Sequence, residues 1–509
     1  MSDLDLKELT ISQTIGQLVM PRLDFRDSYT LPRARELVGK FHVGGFIVFG
    51  TERKQITEAT EELQSISQIP LFFACDAERG VGQIVSGATR FPFTMALGAI
   101  GDEDIVYRQA KFIAFEMKEC GLNLVFAPVV DVNTNPENPI INIRSYGDDP
   151  LLVSRLGRAF VQGSQDEGVL ACAKHFPGHG AVAIDSHITL PRSVQSREEF
   201  WSCDLIPFRG AIESGVASIM VAHLAAPRID FTEVPATISP EIIQRLLVRD
   251  LGFKGLIITD SFFMGAIAEL GKEEDIAPLS LLSGCDIVLD PKEPEGLVER
   301  LNAMIKRGQI SASHLDRSVR KIIEAKHKWL YDKPHEDSLD VNNGKNLLDE
   351  IAHRSVCCLR GGKLHSNTAS LYVLDVTQGE EENYEPFHRS LAEAGINCQK
   401  RFLTSNDAGK GLAENERSEE AIICLVNTSV AAWKGHTNLP ESFRGFLRRV
   451  SHLNSEKIII SFGSPYVVRG FEHFDTILCA FDSMDVCQQA LAEVLLGKRE
   501  AQGQLPVKL

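Results

Sequence analysis

No run of apolar residues in this chain of 509 residues is long enough to cross a bilayer, so a helical membrane protein is excluded at the outset. Basic residues are in deficit: 53 Lys and Arg stand against 69 Asp and Glu, a formal net charge of -16. No Lys/Arg cluster offsets that deficit, so nucleic acid is not an expected partner. The first residues, MSDLDLKELTISQTIGQLVM, lack a basic segment followed by an apolar one, and no secretory signal is read there. The eleven cysteines are scattered and odd in number. Cys75, Cys172, Cys285, Cys424 and Cys479 lie in or beside apolar runs, and Cys357-Cys358 reads the same way. That is the pattern of reduced core thiols in a cytoplasmic protein rather than of a disulfide framework. The remaining composition, 44% hydrophobic and 24% charged, is that of a soluble globular chain with room for more than one domain.

Short apolar runs recur through the first 290 residues: 15–20, 43–50, 70–76, 123–132, 168–174, 217–223, 255–260 and 285–290. Amphipathic segments such as EDIVYRQAKFIAFEMKECG and PEIIQRLLVRDLG separate them. Strand, helix, strand, repeated about eight times, predicts a (β/α)8 TIM-type barrel over residues 1–330. Several runs end in a residue able to do chemistry, namely Asp76, Asp131, Lys174, His223, Asp260 and Asp290. The C-terminal strand ends are where such barrels place their sites.

The polar stretch 331–346 is read as a linker, with a helix starting near Asn346. Runs at 370–376, 421–427, 457–463 and 475–481 then predict a smaller flavodoxin-like α/β sandwich domain over 347–509. No phosphate-cradling motif is found in it.

The unusual stretch is KHFPGHGAVAIDSH, residues 174–187, at the end of the fifth run. Three readings stay open. His175, His179, Asp185 and His187 are all possible metal ligands, but neither a paired H-x-H after the first strand nor an H-E-x-x-H helix accompanies them. Asp185 and His187 can instead pair, the carboxylate fixing the imidazole tautomer so that the histidine donates and accepts a proton near neutrality. The third reading is a structural turn. Asp260, ending the run LIITD, is a candidate nucleophile or cation stabiliser, or else the N-cap of the segment after it.

KHFPGHG followed by DSH, with ITDSFFMGAI some seventy residues on, resembles glycoside hydrolase family 3, and within it the bacterial β-N-acetylglucosaminidase branch. FACDAERGVGQ (73–83) and LVFAPVVDVNTNPENPIINIRSYGDDP (124–150) resemble the family's segments after the third and fourth strands. The terminal LLGKREAQGQLPVKL resembles the closing strand of its second domain. The resemblance implies a retaining exo-glycosidase, with Asp260 as nucleophile, His187 as general acid/base and Asp185 as its supporting carboxylate. Asp76, Arg144, Lys174 and His175 match sugar-binding residues. No cofactor and no metal are implied, and the expected partner is a small carbohydrate, a cell-wall fragment among the candidates. Cytoplasmic placement would fit the recycling of peptidoglycan fragments. The alternatives are a β-glucosidase or β-xylosidase of the same family, whose acid would come from the second domain, and a non-catalytic sugar binder. Two positions depart from the pattern: Ala181-Val182 replaces an Asp-Thr pair, and Arg79 interrupts the glycines of ERGVG. Both bear on substrate detail more than on reaction type.

Overall fold

In a computed structural model, residues 9–28, 30–186, 188–330, 340–376, 384–410, 421–428 and 439–509 are described. The chain divides into two compact units, one of residues 1–90, 106–132 and 153–344, the other of residues 91–105, 133–152 and 345–509.

The first unit is a ring of parallel strands. β1 is broken at Pro21 into Val19–Met20 and Arg22–Asp24, as expected of a residue with no N–H to give. β2 (Gly45–Phe49), β3 (Phe72–Cys75), β4 (Leu124–Val125) and β5 (Leu170–Phe176) follow. β6 (Ser218–Val221), β7 (Leu256–Thr259) and β8 (Val288–Leu289) complete the set. Each pairs in parallel with the next in sequence, β7 meeting β8 through Ile258 and Ile287. Val19 and Met20 pair with Val288 and Leu289, which closes the ring. Strands covered on both faces carry continuous apolar runs, and all eight expected runs become strands.

The fifth strand departs from expectation. It does not end before the polar cluster but runs through Lys174 and His175 to Phe176, buried at every position. A cation and an imidazole can be strand residues here because carboxylates on neighbouring strand ends receive them.

The second unit contains β9 (Cys357–Arg360), β10 (Thr368–Asp375), β11 (Asn397–Phe402), β12 (Ala421–Asn427), β13 (Lys457–Ser461) and β14 (Thr476–Cys479). Their order is β9-β14-β13-β12-β10-β11. The last five form a parallel sheet in flavodoxin-like order, and β9 lies antiparallel against β14. The segments 91–105 and 133–152 belong here through close backbone approach. A Cβ on Gly98 would come within 1.7 Å of the Tyr146 carbonyl oxygen, and Gln504 N–H donates to the Ala99 carbonyl at 2.9 Å. The C-terminal stretch, expected as a closing strand, makes one bridge, Gly503 to Cys357. Most of the expected linker, 331–339, lies outside the described residues, and the helix after it starts at Val341 rather than near Asn346.

None of the eleven cysteines forms a disulfide. No helix among the described residues is long and apolar enough to cross a membrane.

Candidate active site

Lys174 lies on β5 with its side chain only 3% exposed, so its ammonium needs compensating charge. Asp76, one residue past β3, supplies it at 2.7 Å, and Glu78 supplies a second carboxylate at 2.8 Å. The two acids differ in access: the Asp76 side chain is 35% exposed and that of Glu78 6%. Asp76 is thus the partner that reaches open space. Glu78 was not singled out from the sequence, although its spacing of two from Asp76 in CDAE was the available signal.

Asp131, at the end of the β4 run, gathers the neighbouring loop. It accepts the His175 backbone N–H at 3.1 Å, the His175 ring at Nδ1 at 2.7 Å, and the His179 backbone N–H at 2.6 Å. Burial pushes its carboxyl upward, but the His175 charge and hydrogen bond, helped by His179, hold it below its ordinary value. With Nδ1–H turned to a carboxylate, His175 keeps Nε2 for other work. His179 is buried, and that burial brings its imidazole down to about 4. Asp204 backs the same loop: a Cβ on Gly178 would lie 2.6 Å from the Asp204 carboxyl, which explains a glycine there. Burial pushes Asp204 up to about 7, against a hydrogen bond from Gln195 Nε2 at 2.7 Å.

Asp260 follows β7 and is partly exposed. Its N–H donates to the Val221 carbonyl at 2.9 Å, and its Oδ1 accepts the Ser261 N–H at 2.8 Å. It does not cap the next helix, Gly265–Ala268, whose N-cap is Met264. Ser261 is held from three strands. Its hydroxyl donates to Asp290 at 2.7 Å, Asp290 receives Arg22 in a two-pronged pair at 2.7 and 2.6 Å, and the Ser261 carbonyl accepts His223 Nε2–H at 3.1 Å. Thr237 completes the set, its hydroxyl 2.9 Å from His223 Nδ1. Two of the strand-end residues read as candidates, His223 and Asp290, therefore brace the residue after Asp260.

Asp185 is 2% exposed, and its carbonyl accepts the N–H groups of Ile188 and Thr189 at 3.0 and 3.1 Å. His187 lies outside the described residues. The segment around it is bonded to the one that follows Asp260: Ala266 N–H donates to the Ser186 carbonyl at 3.3 Å, and Glu269 accepts the Thr189 hydroxyl and the Leu190 N–H. Those two donors, the Thr189 hydroxyl first, hold the Glu269 carboxyl below its ordinary value. Asp76, Lys174, His175 and Asp131 form one cluster of contacts, and the segment that follows Asp260 joins the Asp185 segment in another, all in the barrel unit. Arg144 belongs to the second unit, on a short helical turn where its Nη1 donates to the Ile140 carbonyl at 3.1 Å. Among the described residues no group of three His, Cys, Asp or Glu side chains is arranged as metal ligands.

Comparison with known proteins gives a consistent set of relatives. The family described as "Glycosyl hydrolase family 3 N terminal domain" matches residues 10–325. Beta-hexosaminidase A of Pseudoalteromonas piscicida is 28% identical, with 98% of this chain and 97% of that protein aligned. A beta-N-acetylglucosaminidase/beta-glucosidase of Cellulomonas fimi is 32% identical over 92% of this chain and 88% of its own length. The structure of a glycoside hydrolase family 3 beta-N-acetylglucosaminidase from Paenibacillus sp. str. FPU-7 superposes with a TM-score of 0.86 at 29% identity, covering 98% of this chain and 99% of that one.

Proposed function

The chain belongs to glycoside hydrolase family 3 and acts on β-linked sugars, and from that premise we propose that it removes terminal β-linked N-acetylglucosamine, or a related N-acetylhexosamine, with retention of configuration. In this reading Asp260 attacks the anomeric carbon and forms a covalent glycosyl intermediate. His187 first protonates the departing oxygen and then takes a proton from the water that releases the sugar. Asp185 supports that histidine. Because the acid is an imidazole, the usual pair of carboxylates is replaced by a carboxylate and a histidine.

One observation carries the proposal. Asp260 stands at the end of β7, partly exposed, and the residues just after it are hydrogen-bonded to the residues on either side of His187 in sequence. The nucleophile and the acid/base of a retaining enzyme must serve one bond, and these bonds join the two segments. Asp76, Lys174 and His175 fit the role of sugar binders. They offer a partly exposed carboxylate, an ammonium held between two acids, and a ring whose Nδ1 is occupied by Asp131. Hydrogen bonds of this kind gain strength as charge builds on the flattening ring. Arg144 is proposed as a further sugar-binding residue on sequence resemblance alone.

The relatives support this glycone, several of them being named for hexosaminidase or N-acetylglucosaminidase activity. A second reading, in which glucosides are also cleaved, is favoured by the double name of the Cellulomonas fimi relative. Eleven cysteines without a disulfide, most of them buried, support work in a reducing compartment.

The test is a panel of aryl β-glycosides (N-acetylglucosaminide, glucoside and xyloside) with the purified protein, the first-formed anomer being read by NMR. Preference for the N-acetylglucosaminide with a β product is expected. A preference for glucoside would move the protein to the second reading, and an α product would overturn the retaining mechanism.

A further inference from the structure

The segment that carries Asp185 and His187 is fastened differently at its two ends. Upstream, Val182 packs in a small apolar cluster with Ala222 and Leu224, just past β6. Past Val182 apolar burial gives out on both sides of the pair: Ile184 is 44% exposed and Ile188 50%. What holds the downstream end is polar. The Asp185 carbonyl closes a turn on Ile188 and Thr189, and one side chain from elsewhere in the chain grips the residues that leave it.

That side chain is Glu269. It closes the short helix Gly265–Ala268, nine positions after Asp260 in sequence. One carboxylate oxygen accepts the Thr189 hydroxyl at 2.6 Å and the other accepts the Leu190 N–H at 3.1 Å. A third bond, Ala266 N–H to the Ser186 carbonyl at 3.3 Å, ties the same two segments. Hydrogen bonds to an ionised acceptor are stronger than neutral ones, and two from one rigid carboxylate fix direction as well as distance. Glu269 is exposed, so nothing in the apolar core accounts for a carboxylate turned onto these two donors.

We propose that Glu269 is a positioning residue for the glycosidic reaction. By holding Thr189 and Leu190, it sets the segment bearing Asp185 and His187 against the segment bearing Asp260. The inference rests on the assignment of Asp260 and the Asp185–His187 pair made above. Glu269 itself touches no reacting atom. Its loss lets the acid/base segment wander, so the step that suffers is protonation of the leaving group. Small errors of placement cost much in proton transfer and little where the leaving group departs unaided.

The experiment compares wild type with Glu269→Ala, Glu269→Gln, Thr189→Val and the Glu269→Ala/Thr189→Val double variant. Two readouts are taken: amide hydrogen exchange over 185–190, and kcat/KM on a nitrophenyl and an alkyl β-N-acetylglucosaminide. Exchange at Leu190 is expected to quicken about tenfold or more in Glu269→Ala, since its N–H loses an acceptor. On the alkyl glycoside kcat/KM should fall about tenfold, and on the nitrophenyl glycoside less than about threefold. Glu269→Gln, which keeps one acceptor oxygen, should fall between. The double variant should be little worse than the worse single one, because both remove the same bond. Unchanged exchange, equal losses on both glycosides, or additive losses in the double variant would each overturn the proposal. His187→Ala in the same series separates the two failures. Equal losses on both glycosides in that variant would overturn the acid/base assignment, whereas native exchange in Glu269→Ala would overturn the clamp.

Discussion

The Ser261 hydroxyl donates to Asp290 across 2.7 Å, and Asp290 in turn holds Arg22 through both carboxylate oxygens. The residue after Asp260 is thereby fixed from the end of β8, with Arg22 of β1 behind it. Asp290 is 1% exposed and the Arg22 side chain 31%. Replacing Asp290 by Ala strands a half-buried guanidinium and a hydroxyl, with a stability loss of about 2 kcal/mol expected. This is less than for a fully enclosed pair, because Arg22 reaches water. The backbone that aims Asp260 loosens as well, so kcat/KM should fall at least about tenfold. Urea unfolding and kinetics read the two effects, and unchanged kinetics would remove this network from the site.

His179 makes stability depend on pH. Burial lowers its imidazole from 6.5 to about 4, with Asp131 opposing the shift and His175 adding to it. Between those values the unfolded chain binds more protons than the folded one, so stability rises with pH. The contribution is fully present above 6.5 and lost as pH falls toward about 4, roughly 3 kcal/mol in all. Unfolding of His179→Asn from pH 7 to pH 4 should show a flatter decline than wild type. Parallel curves would contradict the assignment.

Glu78 shares the Lys174 ammonium with Asp76 but is itself nearly inaccessible. In Glu78→Gln the cation draws more on Asp76, which withdraws that partly exposed carboxylate from its proposed sugar contacts. KM is expected to rise at least about threefold with kcat less affected. A lower kcat at unchanged KM would instead place Glu78 in the chemical step.

Lys326 is buried beneath the barrel, where its ammonium donates to Gln17 Oε1 at 2.6 Å and to the Gly44 carbonyl at 2.8 Å. Burial lowers it well below 10.5. The folded chain therefore holds fewer protons than the unfolded one between the lowered value and 10.5, and stability gains as pH rises through that window. Lys326→Met should abolish the gain in alkaline unfolding curves. Persistence of the gain would assign it to another group.

The barrel was legible in the sequence because parallel strands covered on both faces must be written as continuous apolar runs. β11 was not: it is an edge strand, exposed or half-exposed along its length, and NCQKRF carries no apolar signature. The extension of β5 through Lys174 and His175 was hidden for another reason. A cation and an imidazole inside a strand make sense only beside Asp76 and Glu78 for the one and Asp131 for the other, which lie far off in sequence. Strand-end chemistry drew attention to Asp76, Asp131, Lys174, His223, Asp260 and Asp290, at the ends of β3 to β8, but not to how their contacts divide. Asp290 and His223 brace Ser261, and Asp131 orients a histidine. Asp204 and Glu269 carried no motif at all. Each matters through a single loop it touches, a relation no local pattern records.

The central claim is that Asp260 becomes covalently bonded to the sugar. His187→Ala should release the nitrophenyl leaving group yet lack the base that frees the glycosyl group, so the intermediate should accumulate. Incubated with nitrophenyl β-N-acetylglucosaminide, quenched in acid and weighed whole, that variant is predicted to gain the mass of one N-acetylhexosaminyl residue. Peptide mapping should place it on Asp260, and added azide should discharge it. A label on any other residue, or release of nitrophenol with no adduct and no response to azide, would contradict the account.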